Sequence, residues 1–269
     1  MGVPVVLPAL IPDIKKVYDV YFASFKNEGM ARLMLDVIFP NGASDAPGFR
    51  DEHAKGTLAW WHQSDLQYTF KCVDNETGEI IGMALADILM RERTEEERKF
   101  GGIPWLEGKD RERAEAVVGP LATMREKLFG GHKHVYCHVM GVVPEYQGRN
   151  AGRALLEFAI VTANQLCLPL YFESSPTTIG LYKKLGFEEL PERIVHKAEV
   201  LGTATDIEVP LMVRIPASAG AMTFAQWIAS GYPSLVAPAP QPVAKSAPAA
   251  EKSDICAVTV EPATAPAAI

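Results

Sequence analysis

The stretch that most constrains this chain is Val142-Val143-Pro144-Glu145-Tyr146-Gln147-Gly148-Arg149-Asn150-Ala151-Gly152-Arg153. An apolar run over 134–143 ends there, a short glycine-containing turn follows, and a helical pattern opens on small residues. A strand that feeds a helix in this way leaves backbone N–H groups pointing outward beside the positive end of the helix dipole. That arrangement suits a pyrophosphate. Gly148 and Gly152 permit close backbone approach, while Arg149 and Arg153 add positive charge at the rim. Taken alone, the same turn is equally an ordinary strand-to-helix connection.

The surrounding chain supplies the rest of an α/β or α+β pattern. A short apolar segment broken by Pro4 and Pro8 reads as an edge strand. Pro12-Asp13 reads as a helix start with Asp13 as N-cap, and Ile14, Val17, Tyr18, Tyr21, Phe22 and Phe25 follow at helical spacing. Helices are expected over 30–39 and 51–63, the latter carrying Trp60-Trp61, read as core anchors or as the border of a pocket. Apolar runs at 68–73 and 79–88 flank Asp74-Asn75-Glu76-Thr77-Gly78, a hairpin signature. The charge-dense segment 91–131 is read as an insertion with a helix over 110–128. Its charged run is a solvated helix face or, alternatively, a lid over a substrate cleft. A strand over 134–143, a helix over 152–166, a strand over 169–173, a helix over 177–185 closed by Gly186, and strands over 188–196 and 205–215 complete the order. The domain is expected to span 1–216. Phe224, Trp227, Ile228 and Tyr232 mark 217–236 as a docking segment, and 237–269 is a Pro/Ala-rich tail of the composition expected of disorder.

Composition excludes several function classes. A net charge of −7 lacks the basic face that nucleic acid requires, and mildly favours cationic partners such as amines. Cys72, Cys137, Cys167 and Cys256 show neither a CxxC pair nor regular spacing, so they read as reduced thiols, and no histidine spacing calls for a metal. No apolar stretch reaches transmembrane length, and the first residues lack a secretory pattern, so no membrane partner is expected and cytoplasm is the expected location.

The stretch V-x-P-x-x-Q-G-R-N-A-G-R-A-L-L resembles motif A of the GNAT acetyltransferases, and Leu181-Tyr182-Lys183-Lys184-Leu185-Gly186-Phe187 resembles motif B of the same superfamily. The two occur in family order, and the resemblance is strongest over 134–187. It implies the GNAT acyl-CoA N-acyltransferase fold, an α+β three-layer arrangement with a mixed, mostly antiparallel central sheet flanked by helices. It also implies acetyl-CoA as co-substrate, held by Val142, Val143, Gln147, Gly148, Arg149, Asn150, Ala151, Gly152, Arg153 and Ser175. Asn150 stands where the family usually has glycine, and Ser175 near a position that is often Asn. Within the superfamily the chain looks closest to small-molecule acetyltransferases, so the implied partner is a small amine. A protein lysine or N-terminal acetyltransferase and a non-catalytic acyl-CoA-binding regulator are the alternatives.

In this superfamily the amine attacks the thioester directly. The protein must deprotonate an ammonium whose pKa is about 10, stabilise an oxyanion, and protonate the leaving thiolate. Tyr182 matches the family tyrosine that points at the CoA sulfur and is the expected acid. His138 is the expected base, since positions 134, 136 and 138 share one strand face and its place resembles that of the strand histidine of arylalkylamine N-acetyltransferases. Glu173 is the rival base. The oxyanion donor implied by the family is the N–H of Val142 or a neighbour.

Overall fold

The computed structural model describes residues 2–26 and 29–235. The tail over 237–269, with Cys256, lies outside the described residues. The strands are β1 (Pro4–Pro8), β2 (Gln67–Asp74), β3 (Ile80–Leu89), β4 (His134–Val142), β5 (Leu170–Glu173), β6 (Glu188–His196) and β7 (Ile207–Arg214). The helices are α1 (Ile14–Phe25), α2 (Gly29–Ile38), α3 (Phe49–Gln63), α4 (Glu95–Arg98), α5 (Gly108–Phe129), α6 (Ala151–Leu166), α7 (Ile179–Lys184), α8 (Ala198–Leu201) and α9 (Phe224–Ala229). The strands form one sheet in the order β1-β2-β3-β4-β5-β7-β6, antiparallel throughout except between β4 and β5. The expected mixed, mostly antiparallel sheet with flanking helices is therefore what forms.

Local chemistry explains the joints. In the β2–β3 hairpin, Asp74 Oδ1 accepts from the N–H groups of Glu76 and Thr77 at 2.9 and 3.3 Å, and Gly78 takes a φ of 71°. Only a residue without Cβ adopts that backbone at no steric cost. Asp13 stands at the N-cap position of α1 but does not cap that helix. Its carboxylate turns back to accept from the Leu10 N–H at 2.8 Å and to pair with Lys71 at 2.6 Å, because a turn of 3-10 helix over Ile11–Asp13 precedes α1.

The sheet separates two apolar layers. On one face Tyr136, Tyr171 and Leu211 pack with Leu128 and Phe129 of α5 and with Phe224 and Trp227 of α9. On the other, Cys137, Leu170, Phe172 and Met212 meet Leu156 and Ala163 of α6. The segment 91–131 is thus built into the domain through α5, whose Ala114 and Val117 also pack with Val37 and Leu201. Its charge density reflects the outer face of a helix whose inner face is core. Phe224 and Trp227 are 2% and 3% exposed, which places the C-terminal aromatic segment against α5. Trp60 differs from the expected core anchor. It is 49% exposed, because α3 buries the side of the helix that carries His53 and Trp61.

Candidate active site

The turn between β4 and α6 has the backbone that an anion site requires. Gly148 and Asn150 both take positive φ, 74° and 65°, and α6 makes its first intrahelical bond from the Ala154 N–H to the Asn150 carbonyl at 2.9 Å. Among the described residues, the N–H groups from Gly148 to Arg153 donate to no backbone carbonyl. A run of unpaired donors through alternating backbone hands, at the positive end of a 16-residue helix, has the geometry that suits an anion. A Cβ on Gly148 meets nothing within 4 Å, so the glycine is required by φ and not by space.

Asn150 holds the left-handed position that its residue type tolerates best after glycine. Asn150→Ala is therefore expected to cost about 1 kcal/mol of stability, and Asn150→Gly only a few tenths. Urea unfolding of the pair measures this, and equal midpoints for both variants would contradict it.

Three expected turn contacts are occupied within the protein. Gln147 Nε2 donates to the Val142 carbonyl at 3.2 Å. Arg153 Nε pairs with Glu157 at 2.7 Å along the helix. Ser175 Oγ lies 2.7 Å from Thr177 Oγ1, inside a hydroxyl cluster with Ser174 and Thr178. Arg149 instead lies over the Tyr146 ring at 5.0 Å, with no carboxylate partner among the described residues. It is the rim cation most available to a phosphate.

Beside this turn the sheet forks. β5 pairs with β4 only at Val135↔Leu170 and Tyr136↔Tyr171, and beyond that point β4 runs on without a neighbour on that side. The Val143 N–H donates to Ile81 at 3.0 Å. Ladder partners alternate in an antiparallel pair, so the Val142 N–H faces away from β3 into the fork. The β3–β4 register shifts at Leu85/Ala86, leaving His138 without a cross-strand partner. This β-bulge turns the chain over. Tyr136 and His138 share the α5 side, but after the bulge Val139 takes that same side, packing with Val17, Val20 and Met83.

The mouth of the fork holds a compact polar cluster. His138 Nε2 lies 2.8 Å from Asp87 Oδ2, and Arg125 Nη1 of α5 reaches the same oxygen at 3.2 Å. Gln67 Nε2 donates to Asp87 Oδ1 at 3.4 Å, and the Arg125 guanidinium sits 4.3 Å from the Tyr136 ring centre. Burial alone would raise the Asp87 pKa, but the charges of His138 and Arg125 overcome it and hold the carboxyl below its usual range. Glu173 accepts from Tyr136 Oη and Tyr171 Oη, each at 2.9 Å. Here burial wins over those two bonds and raises the Glu173 pKa. Its carboxylate faces the two phenols on the α5 side of the sheet, so it does not serve as a charge for the helix that follows. Tyr182 lies on the opposite side of the sheet, edge-on to Phe172 at 4.7 Å, and burial raises its pKa so that the phenol keeps its proton.

The structure thus brings His138, Glu173, the Val142 N–H and the anion-binding turn to one fork. Asp87, Arg125, Gln67 and Tyr171 were not anticipated from sequence. Asp87 had a visible signal, a lone carboxylate inside the apolar run Ile80-Ile81-Gly82-Met83-Ala84-Leu85-Ala86-Asp87-Ile88-Leu89. Arg125 had none, being one charge among many on α5.

Comparison with known proteins places this fold and fork. The family model described as the acetyltransferase (GNAT) domain matches residues 111–189. A probable acyltransferase SID5 of Ajellomyces capsulatus is 32% identical over 122 residues, covering 45% of this chain and 84% of that protein. Among solved structures, a histone acetyltransferase HPA2 and related acetyltransferase of Corynebacterium glutamicum aligns with a TM-score of 0.51 at 21% identity, over 83% of this chain and 99% of that one. A mosquito arylalkylamine N-acetyltransferase like 5b aligns with a TM-score of 0.53 at 17% identity, over 79% and 100%. At such identities the two structures share the fold alone. The chain belongs to the GNAT acetyltransferase superfamily and is an acetyltransferase enzyme. Among the described residues no helix is long and apolar enough to cross a membrane, and no group of three or more His, Cys, Asp or Glu is placed to hold a metal.

Proposed function

We propose that this enzyme transfers the acetyl group of acetyl-CoA directly to the primary amine of a small molecule, in a ternary complex. The observation that carries the reading is the placement of the unpaired donors of Gly148–Arg153 beside a fork that holds a histidine backed by a carboxylate. The donors, with Arg149 at their rim, take the pyrophosphate of acetyl-CoA. The Val142 N–H on the open edge of β4 offers a backbone partner to the rest of that substrate, whereas both backbone groups of Val143, expected to join it, are engaged by Ile81 and Tyr146; Ser175 lies at the entrance to α7. Acetyl-CoA also fits the family, and the net charge of −7 mildly favours a cationic acceptor such as an amine.

Each step then has a group of suitable chemistry. His138 takes the proton of the amine, with Asp87 Oδ2 2.8 Å from its Nε2. The Val142 N–H donates to the thioester oxygen as negative charge develops there. Tyr182 gives its proton to the departing thiolate. Glu173 suits the base role less well: both of its oxygens already accept phenol protons, and burial favours its neutral form. It serves instead to fix Tyr136 beside His138, whose rings meet at 4.3 Å.

The reading is tested by following CoA release from acetyl-CoA across a panel of small amines. Tyr182→Phe is expected to lower kcat about tenfold, at the weak end for general acid catalysis because a thiolate is a good leaving group. An unchanged kcat in Tyr182→Phe would remove that residue from the chemistry.

A further inference from the structure

We propose that Asp87 is a positioning residue that fixes the tautomer of His138, so that Nδ1 is the ring nitrogen that takes the proton of the amine. This rests on the reading of the chain as an amine acetyltransferase with His138 as base. The His138 Nε2 lies 2.8 Å from Asp87 Oδ2. Two lone pairs at that separation repel, and turning the ring over would set a carbon against the carboxylate, so Nε2 carries a proton. In the neutral imidazole the lone pair is then on Nδ1.

Asp87 can impose this because it is itself held on two sides. Its side chain is 16% exposed, Arg125 Nη1 reaches it at 3.2 Å, and Gln67 binds its other oxygen at 3.4 Å. Arg125 in turn is pinned over the Tyr136 ring at 4.3 Å. The charged and titratable groups around His138 are Asp87 from β3, Arg125 from α5, Tyr136 on its own strand, and Glu173 and Tyr171 from β5, with Arg93 acting on the Asp87–Arg125 pair from beyond β3. Among the described residues, Asp87 is the one carboxylate paired with the ring. The ammonium first loses one proton through Nδ1 to solvent; as the N–C bond to the acetyl group then forms on the free amine, a second N–H proton passes to Nδ1 and its bonding pair stays on nitrogen. The imidazolium charge then faces Asp87. The C–S bond breaks with its electron pair on sulfur, which takes the Tyr182 proton, and solvent restores the phenol and receives the proton from His138.

The test combines tautomer and rate in the full chain. Long-range ¹H–¹⁵N spectra of the histidine-labelled enzyme, at a pH where His138 is neutral, are expected to show Nε2 protonated in the native protein. Asp87→Asn, whose amide can donate to Nε2 as well as accept from it, is expected to lose that single tautomer. It should also lower kcat by about tenfold to a hundredfold with KM for the amine nearly unchanged. Asp87→Glu should recover part of the rate. An unchanged acetyl-CoA affinity by calorimetry shows that Asp87→Asn is folded, and the native spectrum and Asp87→Glu carry the test if it is not. A native Nδ1-protonated tautomer overturns the proposal, as does an Asp87→Asn enzyme that loses the tautomer but keeps its kcat while His138→Ala is inactive. If His138→Ala keeps its kcat, the base assignment itself is the part that fails.

Discussion

His138→Ala is expected to lower kcat for amine acetylation by about 10²- to 10⁴-fold, the range that general-base catalysis supplies. The size of the effect follows from what the histidine is asked to do. An amine with a pKa of about 10 reaches the enzyme almost wholly as ammonium at neutral pH, and the fork holds few alternatives for removing its proton. Glu173 is engaged by two phenols, and Asp87 is bound to Arg125 and Gln67. The deficit therefore shrinks as pH rises and the amine deprotonates in solution. Steady-state rates of His138→Ala from pH 7 to pH 10 measure this. A constant deficit across that range points to a structural role for the ring, and no deficit at all removes His138 from the reaction.

The second large effect is on stability. His134 is fully buried, stacked on Phe129 with ring centres 3.9 Å apart, and burial pushes its pKa down to about 3. Its Nδ1 meets the His132 carbonyl at 2.7 Å while Nε2 has no partner among the described residues. His53, enclosed by Tyr18, Phe22, Phe39 and Phe49, is pushed down by burial to about 4. In the unfolded chain both titrate near 6.5, so below that pH the unfolded state binds more protons than the folded one and stability falls with pH. Each histidine contributes a slope that rises from half of about 1.4 kcal/mol per pH unit at pH 6.5 towards the whole of it below, so acidification from pH 6.5 to 5 costs about 3 kcal/mol for the two together. That is a large part of the stability of an ordinary domain, about 5–15 kcal/mol. His196, buried with neither ring nitrogen partnered, adds to the same slope. Glu173, with its raised folded pKa, works in the opposite direction as pH falls from that pKa toward the unfolded value, and Glu173→Gln removes the offset. Urea unfolding at several pH values reads the slope, and His134→Leu should remove about half of the loss. A stability independent of pH between 6.5 and 5 would contradict the burial of these rings as neutral species.

These two effects also show what the sequence could and could not disclose. Element types and most boundaries were legible because hydrophobic period is local: α6 and β4 carry theirs within a few residues, and Gly78 and Gly186 mark joints that only such residues make easily. The backbone of the turn at Gly148–Arg153 was legible for the same reason, since its unpaired donors come from consecutive residues. What lay hidden was made by register. The bulge at His138 arises from a mismatch between β3 and β4, and no residue in the strand announces it. The partnership of His138 with Asp87, and of Asp87 with Arg125, joins positions 51 and 38 residues apart that share only a place on one sheet face. Trp60 was misread for a related reason: a large aromatic on a helix gives no sign of which side the helix will bury. His134 and His53 looked like unremarkable histidines until their aromatic surroundings were assembled.

The central claim is that the fork beside Gly148–Arg153 joins acetyl-CoA to a small amine. It is tested most directly by incubating the purified enzyme with acetyl-CoA and either a panel of small primary amines or lysine-containing peptides, and measuring both CoA release and N-acetylated product. The account predicts stoichiometric CoA and N-acetylamine from at least one small amine, with initial rates that intersect when both substrates are varied. Acetyl-CoA turnover confined to the peptides, or parallel lines from an acetyl-enzyme intermediate, would contradict it.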